Sequence, residues 1–350
     1  MSGGVDSSVA AARLVDQGYE VIGATLHLWD TPDDGSVRGR CCAPEDVHDA
    51  RRVADALGIP HFAFDRRAEF DRDVVGPFVD AYLAAVTPSP CVRCNQLVKL
   101  PELLGLADRL GAPLLATGHF ARVVRGPGGA RLLRGRDRRK DQSYFLHAVS
   151  AADLTRLELP LGESTKEEVR AEALARGLPA AAKGESQELC FVPDGHHSDL
   201  VSARAGGRAR PGPIVDAAGR EVGAHRGVHA FTLGQRRGLG VAVGARAYVV
   251  GLDAATGTVR LGSREELAAG RAELGEVYAP RPLPERCDVV VRYRGVPAPG
   301  RVSLRGPGRA RVEFDEPVHA VVPGQFAVLY AGDEVLGGGR IESMTRWGAA

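Results

Sequence analysis

Near its start, the chain carries a glycine- and serine-rich segment that runs directly into a helix. The segment reads Ser2-Gly3-Gly4-Val5-Asp6-Ser7-Ser8, and a helical pattern continues over residues 9–17. Adjacent glycines let backbone amides approach an anion closely, and the start of a helix adds partial positive charge. Asp6 can cap the helix or help to hold a magnesium ion. The segment therefore predicts a phosphate-binding loop, although it lacks the Gly-Lys-Ser/Thr ending of the mononucleotide P-loop.

The chain upstream of this loop is short. A phosphate-binding loop normally follows a buried strand, and only Met1 precedes the loop here. We therefore expect the native protein to have roughly one further strand before Met1.

Strand and helix patterns alternate over the first two hundred residues. Strands are predicted at 20–28, 61–64 and 113–117, and helices at 45–57, 68–86, 97–110 and 164–176. A capping box from Ser164 to Glu167 opens the last of these helices. This alternation predicts an α/β domain with a parallel sheet covered on both faces.

The pattern changes near residue 200. Residues 203–212 are rich in glycine, arginine and proline, as in a linker. Beyond them, short β-type runs at 247–252, 258–261, 287–293, 310–314 and 326–330 predict a small barrel or sandwich. We expect three domains, at 1–200, 201–271 and 272–350.

Composition indicates a folded protein with opposed charges. Of the 350 residues, 44% are hydrophobic and 25% charged, which excludes wholesale disorder. We expect no membrane segment and no signal peptide, and a cytoplasmic location. The net charge of +1 combines unlike blocks: residues 101–150 carry nine basic and four acidic side chains, and 201–250 carry eight and two. Such basic blocks are where a polyanion would bind, although a solvated basic surface is equally compatible with them.

The six cysteines leave three interpretations open. Cys91 and Cys94 form a Cys-x-x-Cys pair before a helix, where thiols ionise more readily. They could be a redox or sulfur-carrying pair, they could join Cys190 in a metal or iron–sulfur site, or they could be inert. Zinc is disfavoured because no second Cys-x-x-Cys or paired histidine motif is present, so no resident metal ligand is assigned.

Taken together, the motifs resemble those of the tRNA-specific 2-thiouridylases over essentially the whole chain. The loop itself is similar to that of enzymes which split ATP into AMP and pyrophosphate. The other matching pieces, in chain order, are Cys41–Asp46, Thr87–Asn95, Ala116–His119, Lys140–Phe145, Glu188–Phe191, Thr232–Arg236, Arg292–Arg294 and Pro323–Gln325.

This resemblance implies an ATP pyrophosphatase domain, a central domain and a C-terminal β-barrel. It implies ATP-dependent 2-thiolation of the wobble uridine of tRNA, with Mg²⁺ and with sulfur from a persulfide donor such as a cysteine desulfurase or a sulfur-relay protein. Cys94 matches the nucleophile and Cys190 the cysteine that carries the persulfide. Cys91 stands where some members have an acidic residue, which leaves its role open.

The resemblance also implies which residues bind the substrates. The ATP-binding positions are Ser2, Gly3, Gly4, Val5, Asp6, Ser7, Ser8, Leu26 and Gly118. The tRNA-binding positions are Ser89, Pro90, Cys91, His119, Lys140, Asp141, Gln142, Arg292, Tyr293 and Gln325.

Other functions stay open from the residues alone. One is a ligase that adenylates a small molecule with the same kind of loop, which would need neither Cys94 nor Cys190. Another is a tRNA thiolase with an iron–sulfur cluster on Cys91, Cys94 and Cys190. The last is a tRNA-binding protein without catalysis.

Overall fold

The structure is a computed structural model that describes residues 1–30, 44–181, 183–184, 189–192, 196–241 and 246–349. The predicted motif residues Cys41, Cys42 and Glu188 lie outside these ranges.

The helices of the described chain fall mainly in its first two hundred residues. They are α1 (Val5–Asp16), α2 (Pro44–Leu57), α3 (Arg67–Phe70), α4 (Gly76–Leu83), α5 (Pro90–Arg93), α6 (Leu100–Leu110), α7 (Ser143–Leu146), α8 (Ala151–Arg156), α9 (Lys166–Ala175) and α10 (His197–Arg204). Two π-helical segments, Asp71–Val75 and Cys94–Lys99, and two 3₁₀ turns, Val228–Ala230 and Glu265–Leu267, accompany them.

The strands become dense after residue 212. They are β1 (Gly23–His27), β2 (His61–Asp65), β3 (Leu115–Ala116), β4 (Ala121–Gly126), β5 (Gly129–Arg134), β6 (Leu157–Glu158), β7 (Gly212–Val215), β8 (Glu221–His225), β9 (Tyr248–Asp253), β10 (Thr258–Gly262), β11 (Ala268–Tyr278), β12 (Arg286–Val290), β13 (Ala298–Leu304), β14 (Ala310–His319), β15 (Phe326–Ala331) and β16 (Glu334–Arg346).

The chain divides into two compact units. The first unit comprises Met1–Val75, Cys91–Gly195 and Asp333–Val335. The second unit comprises Gly76–Pro90, His196–Gly332 and Leu336–Ala350. The expected division into three domains stays a prediction.

Parallel strand pairs form the framework of the first unit. Strand β1 pairs with β2, and β3 pairs with β6, both in parallel. An antiparallel hairpin of β4 and β5 follows β3 in the chain. Met1 lies beside β1, because its ammonium group donates to the Ala24 carbonyl and the Thr25 hydroxyl donates to the Met1 carbonyl, 2.7 Å away. The predicted parallel pairing is confirmed, and the expected strand upstream of Met1 stays a prediction.

Helices α1 and α9 pack together in this unit. Val5 and Val9 of α1 share a buried cluster with Val169 and Ala173 of α9. The β-branched and small side chains recur every three or four residues along both helices, which places them on one face of each. This contact fixes the start of α1, which carries the glycine-rich loop.

The start of α9 differs by one residue from the prediction. Its N-cap is Thr165, whose hydroxyl accepts from the Glu168 amide, while the Glu168 carboxylate accepts from the Thr165 amide. The predicted pair, Ser164 and Glu167, is therefore wrong by one position. Two consecutive residues with cap-forming hydroxyls make the register ambiguous in sequence, and the Ser164 hydroxyl instead accepts from Arg13 at 2.8 Å.

Two predicted helices are interrupted by π-helical turns. The predicted helix at 68–86 is found as α3, Asp71–Val75 and α4, and the one at 97–110 is found as Cys94–Lys99 followed by α6. Pro101 stands in the first turn of α6, where a missing amide proton is tolerated. Gly111 ends α6 with φ of 69°, as the sequence predicts.

The second unit contains two sheets. The smaller sheet has the order β8-β7-β10-β9 and covers a core with Ile214, Val249 and Val259. The larger one runs β11-β14-β13-β12-β15-β16 and closes because β11 also pairs with β16, with Leu274 opposite Ile341. The C-terminal region is therefore a six-stranded barrel, one of the two predicted forms. No helix in the described ranges is long and apolar enough to cross a membrane.

Candidate active site

The glycine-rich loop is tightly packed at its first glycine. Gly3 has φ of 66°, and a Cβ atom there would lie 2.4 Å from the backbone oxygen of Asp46. Only glycine fits such a position without moving the backbone. Ser2 and Ser7 close the loop, since the Ser2 amide donates to the Ser7 hydroxyl at 3.0 Å.

Helix α1 begins immediately after this loop, at Val5. Its N-cap is Gly4, which has no side chain to cap the first amides. The first amides of any α-helix have no partner within the helix. They are therefore available to an anion, and the predicted phosphate-binding role of the loop stays a prediction.

A second glycine brings the end of β3 against the same point. A Cβ atom on Gly118 would lie 2.9 Å from the backbone carbon of Asp6 and the nitrogen of Ser7. The chain after β3 therefore passes directly over the first turn of α1. Leu26, the other predicted ATP-binding position outside the loop, is buried in β1.

Asp6 is the acidic residue of the loop and the candidate magnesium ligand. Its carboxylate forms an ion pair with Lys166, with Nζ and Oδ1 2.5 Å apart. Within the described ranges, no three histidine, cysteine or acidic side chains lie close enough to hold a metal ion. Because Mg²⁺ is commonly held by one or two carboxylates together with substrate phosphates, Asp6 fits a magnesium ion that arrives with a nucleotide.

The Cys-x-x-Cys pair lies where α5 passes into a π-helical turn. The Cys91 side chain is exposed, whereas Cys94 is buried, so the two thiols differ in access. Asn95 supports this turn by donating from Nδ2 to the Cys91 carbonyl at 3.1 Å. π-helical turns of this kind occur frequently at functional sites.

Asn95 also presents an unusual buried acceptor. The residue is only 5% exposed, and within the described ranges its Oδ1 atom has no hydrogen-bond partner. Leaving a buried polar atom unpaired costs about 1–3 kcal/mol, so such atoms call for an explanation. Sequence reasoning missed Asn95, although it follows Cys94 directly.

Cys190 belongs to the same unit as Cys94 and is partly exposed. Its neighbour Phe191 is buried and packs edge-to-face on Phe70 of α3, with ring centroids 5.6 Å apart, and on Trp29 at 6.2 Å. Helix α3 in turn contacts the π-helical segment that begins at Cys94. The Phe191 ring thus anchors Cys190 in the part of the unit that carries Cys94.

The three cysteines do not form a ligand set for a cluster. Cys91, Cys94 and Cys190 are absent from any group of three metal-binding side chains in the described ranges. The iron–sulfur alternative therefore has no geometric support.

His119 follows β3 by way of Gly118. Its Nδ1 atom lies 2.8 Å from the Thr117 hydroxyl. Desolvation by the surrounding atoms, together with the Lys99 ammonium group, lowers the pKa of His119 to about 3. The ring is therefore neutral near pH 7, and it can donate or accept a hydrogen bond without carrying charge.

Two predicted tRNA contacts are used inside the protein. The buried Asp141 carboxylate accepts from the Gly135 and Ser143 amides, at 3.0 and 3.1 Å. Gln142 Oε1 accepts from the Phe120 amide at 2.9 Å. Both side chains hold the backbone around β4 and α7, and the adjacent Lys140 is partly exposed.

Within the basic block at 101–150, the positive charges of residues 122–140 are largely neutralised. Acidic partners surround most of its arginines. The ion pairs are Arg122 with Glu163 and Asp333, Arg125 with Glu158, Arg131 with Glu334, Arg134 with Asp141, Arg136 with Glu168 and Arg138 with Asp333. A surface balanced in this way attracts a polyanion less than the sequence suggests.

Gln325 of the second unit supports the loop before Ser89 and Pro90. Its Nε2 atom donates to the Thr87 and Pro88 carbonyls, at 3.1 and 2.9 Å. Ser89 itself is only 8% exposed, and Pro90 is also buried. Gln325 therefore holds the backbone of this loop.

Arg292 and Tyr293 lie just after β12 in the same unit. Arg292 is exposed and Tyr293 is partly exposed. The guanidinium group of Arg294 lies over the Tyr293 ring, 5.2 Å from its centroid. Exposed arginine and aromatic side chains of this kind suit contact with single-stranded RNA.

Comparisons with known proteins agree with the resemblance in the motifs. Family models described as a tRNA methyl transferase HUP domain, a tRNA methyl transferase PRC-barrel domain and an aminomethyltransferase beta-barrel domain match residues 1–194, 203–263 and 272–341.

Several relatives span nearly the whole chain. A protein of Sorangium cellulosum named tRNA-specific 2-thiouridylase MnmA is 61% identical over 357 residues, covering 100% of this chain and 93% of its own length. Proteins of the same name from Chloroflexus aurantiacus and Geobacter metallireducens are 46% and 48% identical, and cover 97% and 98% of this chain and 96% and 95% of their own lengths.

Proposed function

This chain belongs to the tRNA-specific 2-thiouridylase family, and from that premise we propose that it uses ATP to convert the wobble uridine of tRNA to 2-thiouridine. The observation that carries this proposal is the start of α1. The first amides of that helix have no capping side chain, and a side chain at Gly3 or Gly118 beside them would collide with neighbouring backbone atoms. Such an arrangement suits a phosphate chain. The relatives' names supply the RNA substrate and the sulfur chemistry.

The first step activates the uracil oxygen. Uracil O2 attacks the α-phosphorus of ATP, the bond to the bridging oxygen breaks, and pyrophosphate leaves. The amides at the start of α1 and the hydroxyls of Ser2, Ser7 and Ser8 stabilise the charge that develops on the phosphates. A magnesium ion bound with ATP, held on the protein side by Asp6, would neutralise part of that charge.

The second step replaces the adenylate by sulfur. Sulfur adds at C2 of the uracil ring, the C2–O bond breaks, and AMP leaves with the former O2 oxygen. The sulfur arrives as a persulfide on Cys190, the more exposed of the two predicted catalytic thiols. In one route, the Cys94 thiolate attacks this persulfide, releases hydrosulfide and leaves a Cys94–Cys190 disulfide, which a dithiol reductant must then reduce. In the other route, the Cys94 thiolate takes the outer sulfur from Cys190 and the resulting Cys94 persulfide adds to C2. The freed Cys190 thiolate then attacks the Cys94 sulfur and breaks the S–S bond, which leaves the same Cys94–Cys190 disulfide for the dithiol reductant.

The substrate base must leave the anticodon stack to reach these groups. Unstacking costs a few kcal/mol, and least in a single-stranded loop. We propose that Ser89, Pro90, Cys91 and neutral His119 contact the extruded base. Arg292, Tyr293 and Lys140 would contact the RNA directly, whereas Asp141, Gln142 and Gln325 would shape the backbone around it.

A thiolation assay tests this function. The full chain is incubated with unmodified tRNA, ATP, Mg²⁺ and a persulfide donor, and 2-thiouridine is quantified by mass spectrometry of the digested nucleosides. We expect product with wild type, none with Cys94→Ser or Cys190→Ser, and none with a tRNA that has cytidine at the wobble position. A cysteine desulfurase or a sulfur-relay protein should replace the chemical donor.

Two further arms address the alternatives. A small-molecule ligase would exchange pyrophosphate into ATP without tRNA and would not depend on Cys94. An iron–sulfur enzyme would lose activity in iron-free protein and with Cys91→Ser. We expect exchange that requires tRNA, and activity of Cys91→Ser in iron-free protein.

A further inference from the structure

A buried lysine stands behind the phosphate-binding loop. Lys166 is 7% exposed, and its ammonium group lies 2.5 Å from the Asp6 carboxylate and 5.7 Å from the centroid of the Phe120 ring. Lysine is almost never this deeply buried unless it is paired, because removing its charge from water is costly. The position therefore calls for a reason beyond surface charge.

The ammonium group lies at the point where the loop passes into α1. Asp6 is in the first turn of that helix, and the backbone of Asp6 and Ser7 is the part that Gly118 packs against. The positive end of the helix dipole, its unpartnered first amides and the Lys166 ammonium group thus meet at one place. All three favour a negatively charged ligand.

The backbone of Lys166 is fixed independently of its side chain. Lys166 is the first residue of α9, directly after the capping box of Thr165 and Glu168. Its amide donates to the Asp137 carboxylate at 3.0 Å. The side chain can therefore exchange one partner for another while the helix stays in place.

A purely structural role would be redundant. Helices α1 and α9 already share an apolar contact, and a second ion pair joins them, between Arg13 and Glu172 at 2.6 Å. Replacing a buried ion pair by apolar groups is often neutral for stability or better. A buried lysine at the loop is thus a poor choice for merely joining the two helices.

We propose that Lys166 is a nucleotide-binding residue whose ammonium group moves from Asp6 to the β- and γ-phosphates of ATP. This rests on the proposed use of ATP. A lysine ammonium group is a compact charge suited to phosphate oxygens. When it moves, the Asp6 carboxylate becomes available to a magnesium ion that arrives with the nucleotide.

Nucleotide affinity tests this role without any thiolation. Calorimetric titration of the full chain with ATP and with AMP, in the presence of Mg²⁺, is carried out for wild type and Lys166→Met. We expect the dissociation constant for ATP to rise at least about tenfold, the effect of losing a charge-assisted hydrogen bond. The constant for AMP, which lacks the β- and γ-phosphates, should change by less than about threefold on the same argument.

The matched control is Arg13→Gln, which breaks another ion pair between the same two helices, about two turns further along α1 than Asp6. It should leave both dissociation constants unchanged. Lys166→Arg keeps the charge and should retain most of the affinity for ATP. This second variant shows whether a loss of affinity in Lys166→Met comes from the missing charge or from poor folding.

Two results would overturn the inference while the proposed function stands. One is an unchanged ATP affinity in Lys166→Met. The other is an equal loss of ATP and AMP affinity, as expected if Lys166 only supports the fold. If wild type bound no ATP, the proposed function would fail as well.

Discussion

At the residue scale, we expect the proposed cysteine chemistry to depend on a side chain that carries no reactive group. Asn95 Nδ2 donates to the Cys91 carbonyl, and its buried Oδ1 atom has no partner in the part of the chain that the structure describes. The amide therefore orders the turn between the two thiols and keeps one acceptor unused near them.

Asn95→Ala should weaken both the turn and the chemistry. Because a buried hydrogen bond is lost, we expect about 1–2 kcal/mol less stability to urea, and a fall of roughly tenfold or more in the rate of single-turnover thiolation. Gln96→Ala is the control, since the hydrogen bond of that side chain among the described residues is a long one, 3.4 Å from Arg93. If both variants behaved alike, Asn95 would have no special role.

The buried histidine His147 gives stability a predictable dependence on pH. It is 3% exposed, its Nδ1 atom lies 2.9 Å from the Tyr144 carbonyl, and burial lowers its pKa from 6.5 to about 4. Between pH 6.5 and about 4, His147 is protonated in the unfolded chain but stays neutral in the folded protein. The stability that neutral His147 supplies is therefore present above pH 6.5 and is lost as the pH falls toward 4.

The test compares the free energy of unfolding between pH 6.5 and 4.5. His147→Asn retains a donor for the Tyr144 carbonyl but cannot titrate, so its stability should fall less steeply, by up to about 1.4 kcal/mol per pH unit. His48→Asn, at an exposed position of α2, should leave the slope as in wild type. A wild-type slope in His147→Asn would contradict the expectation.

At the scale of elements, the sequence at the start of α9 allows a capping box in two positions, one residue apart. In the structure, Thr165 and Glu168 form the capping box. Thr165→Ala should therefore cost about 1 kcal/mol in urea unfolding. Glu167→Gln, which changes the residue that the sequence pattern favours, should change stability by less than about 0.5 kcal/mol. If Glu167→Gln destabilised the protein more than Thr165→Ala, the capping box would instead be formed by Ser164 and Glu167, as predicted from the sequence.

Element boundaries could be predicted where glycine, proline and apolar periodicity act locally. Helix α6 ends at Gly111, and β10 and β15 begin at the predicted residues, 258 and 326. The π-helical turns at Asp71–Val75 and Cys94–Lys99 could not, because they depend on packing rather than on a local signal. Nor could the partner of Asp6, since Lys166 is 160 positions away and only the fold brings the two together.

At the scale of the whole molecule, the 45 basic and 44 acidic side chains nearly balance, and in the structure many of them form ion pairs with one another. The arginines of the β4–β5 hairpin illustrate this, since Arg131 pairs with Glu334 although its side chain is 45% exposed. Arg236 and Arg237 are also exposed, but neither forms an ion pair within the described ranges. In the sequence all three arginines contribute the same charge, and only the structure shows which of them are neutralised by an ion pair.

The salt dependence of tRNA binding should separate them as well. Arg236→Ala and Arg237→Ala should each lower the slope of log K against log salt concentration by roughly 0.7–0.9, the value for one phosphate contact. Arg131→Ala should leave the slope unchanged because its charge is already balanced. Filter binding at several salt concentrations measures this, and equal slopes for all three variants would refute it.

The closure of the C-terminal barrel affects how this protein can associate with itself. Strands of open sheets present unpaired amides and carbonyls along their edges, which other chains can use to extend the sheet. Here the first barrel strand, β11, pairs with the last, β16, on the side opposite to its partner β14. The barrel therefore offers no strand edge as a template for fibrous aggregation, even though its strands are rich in valine, leucine and alanine.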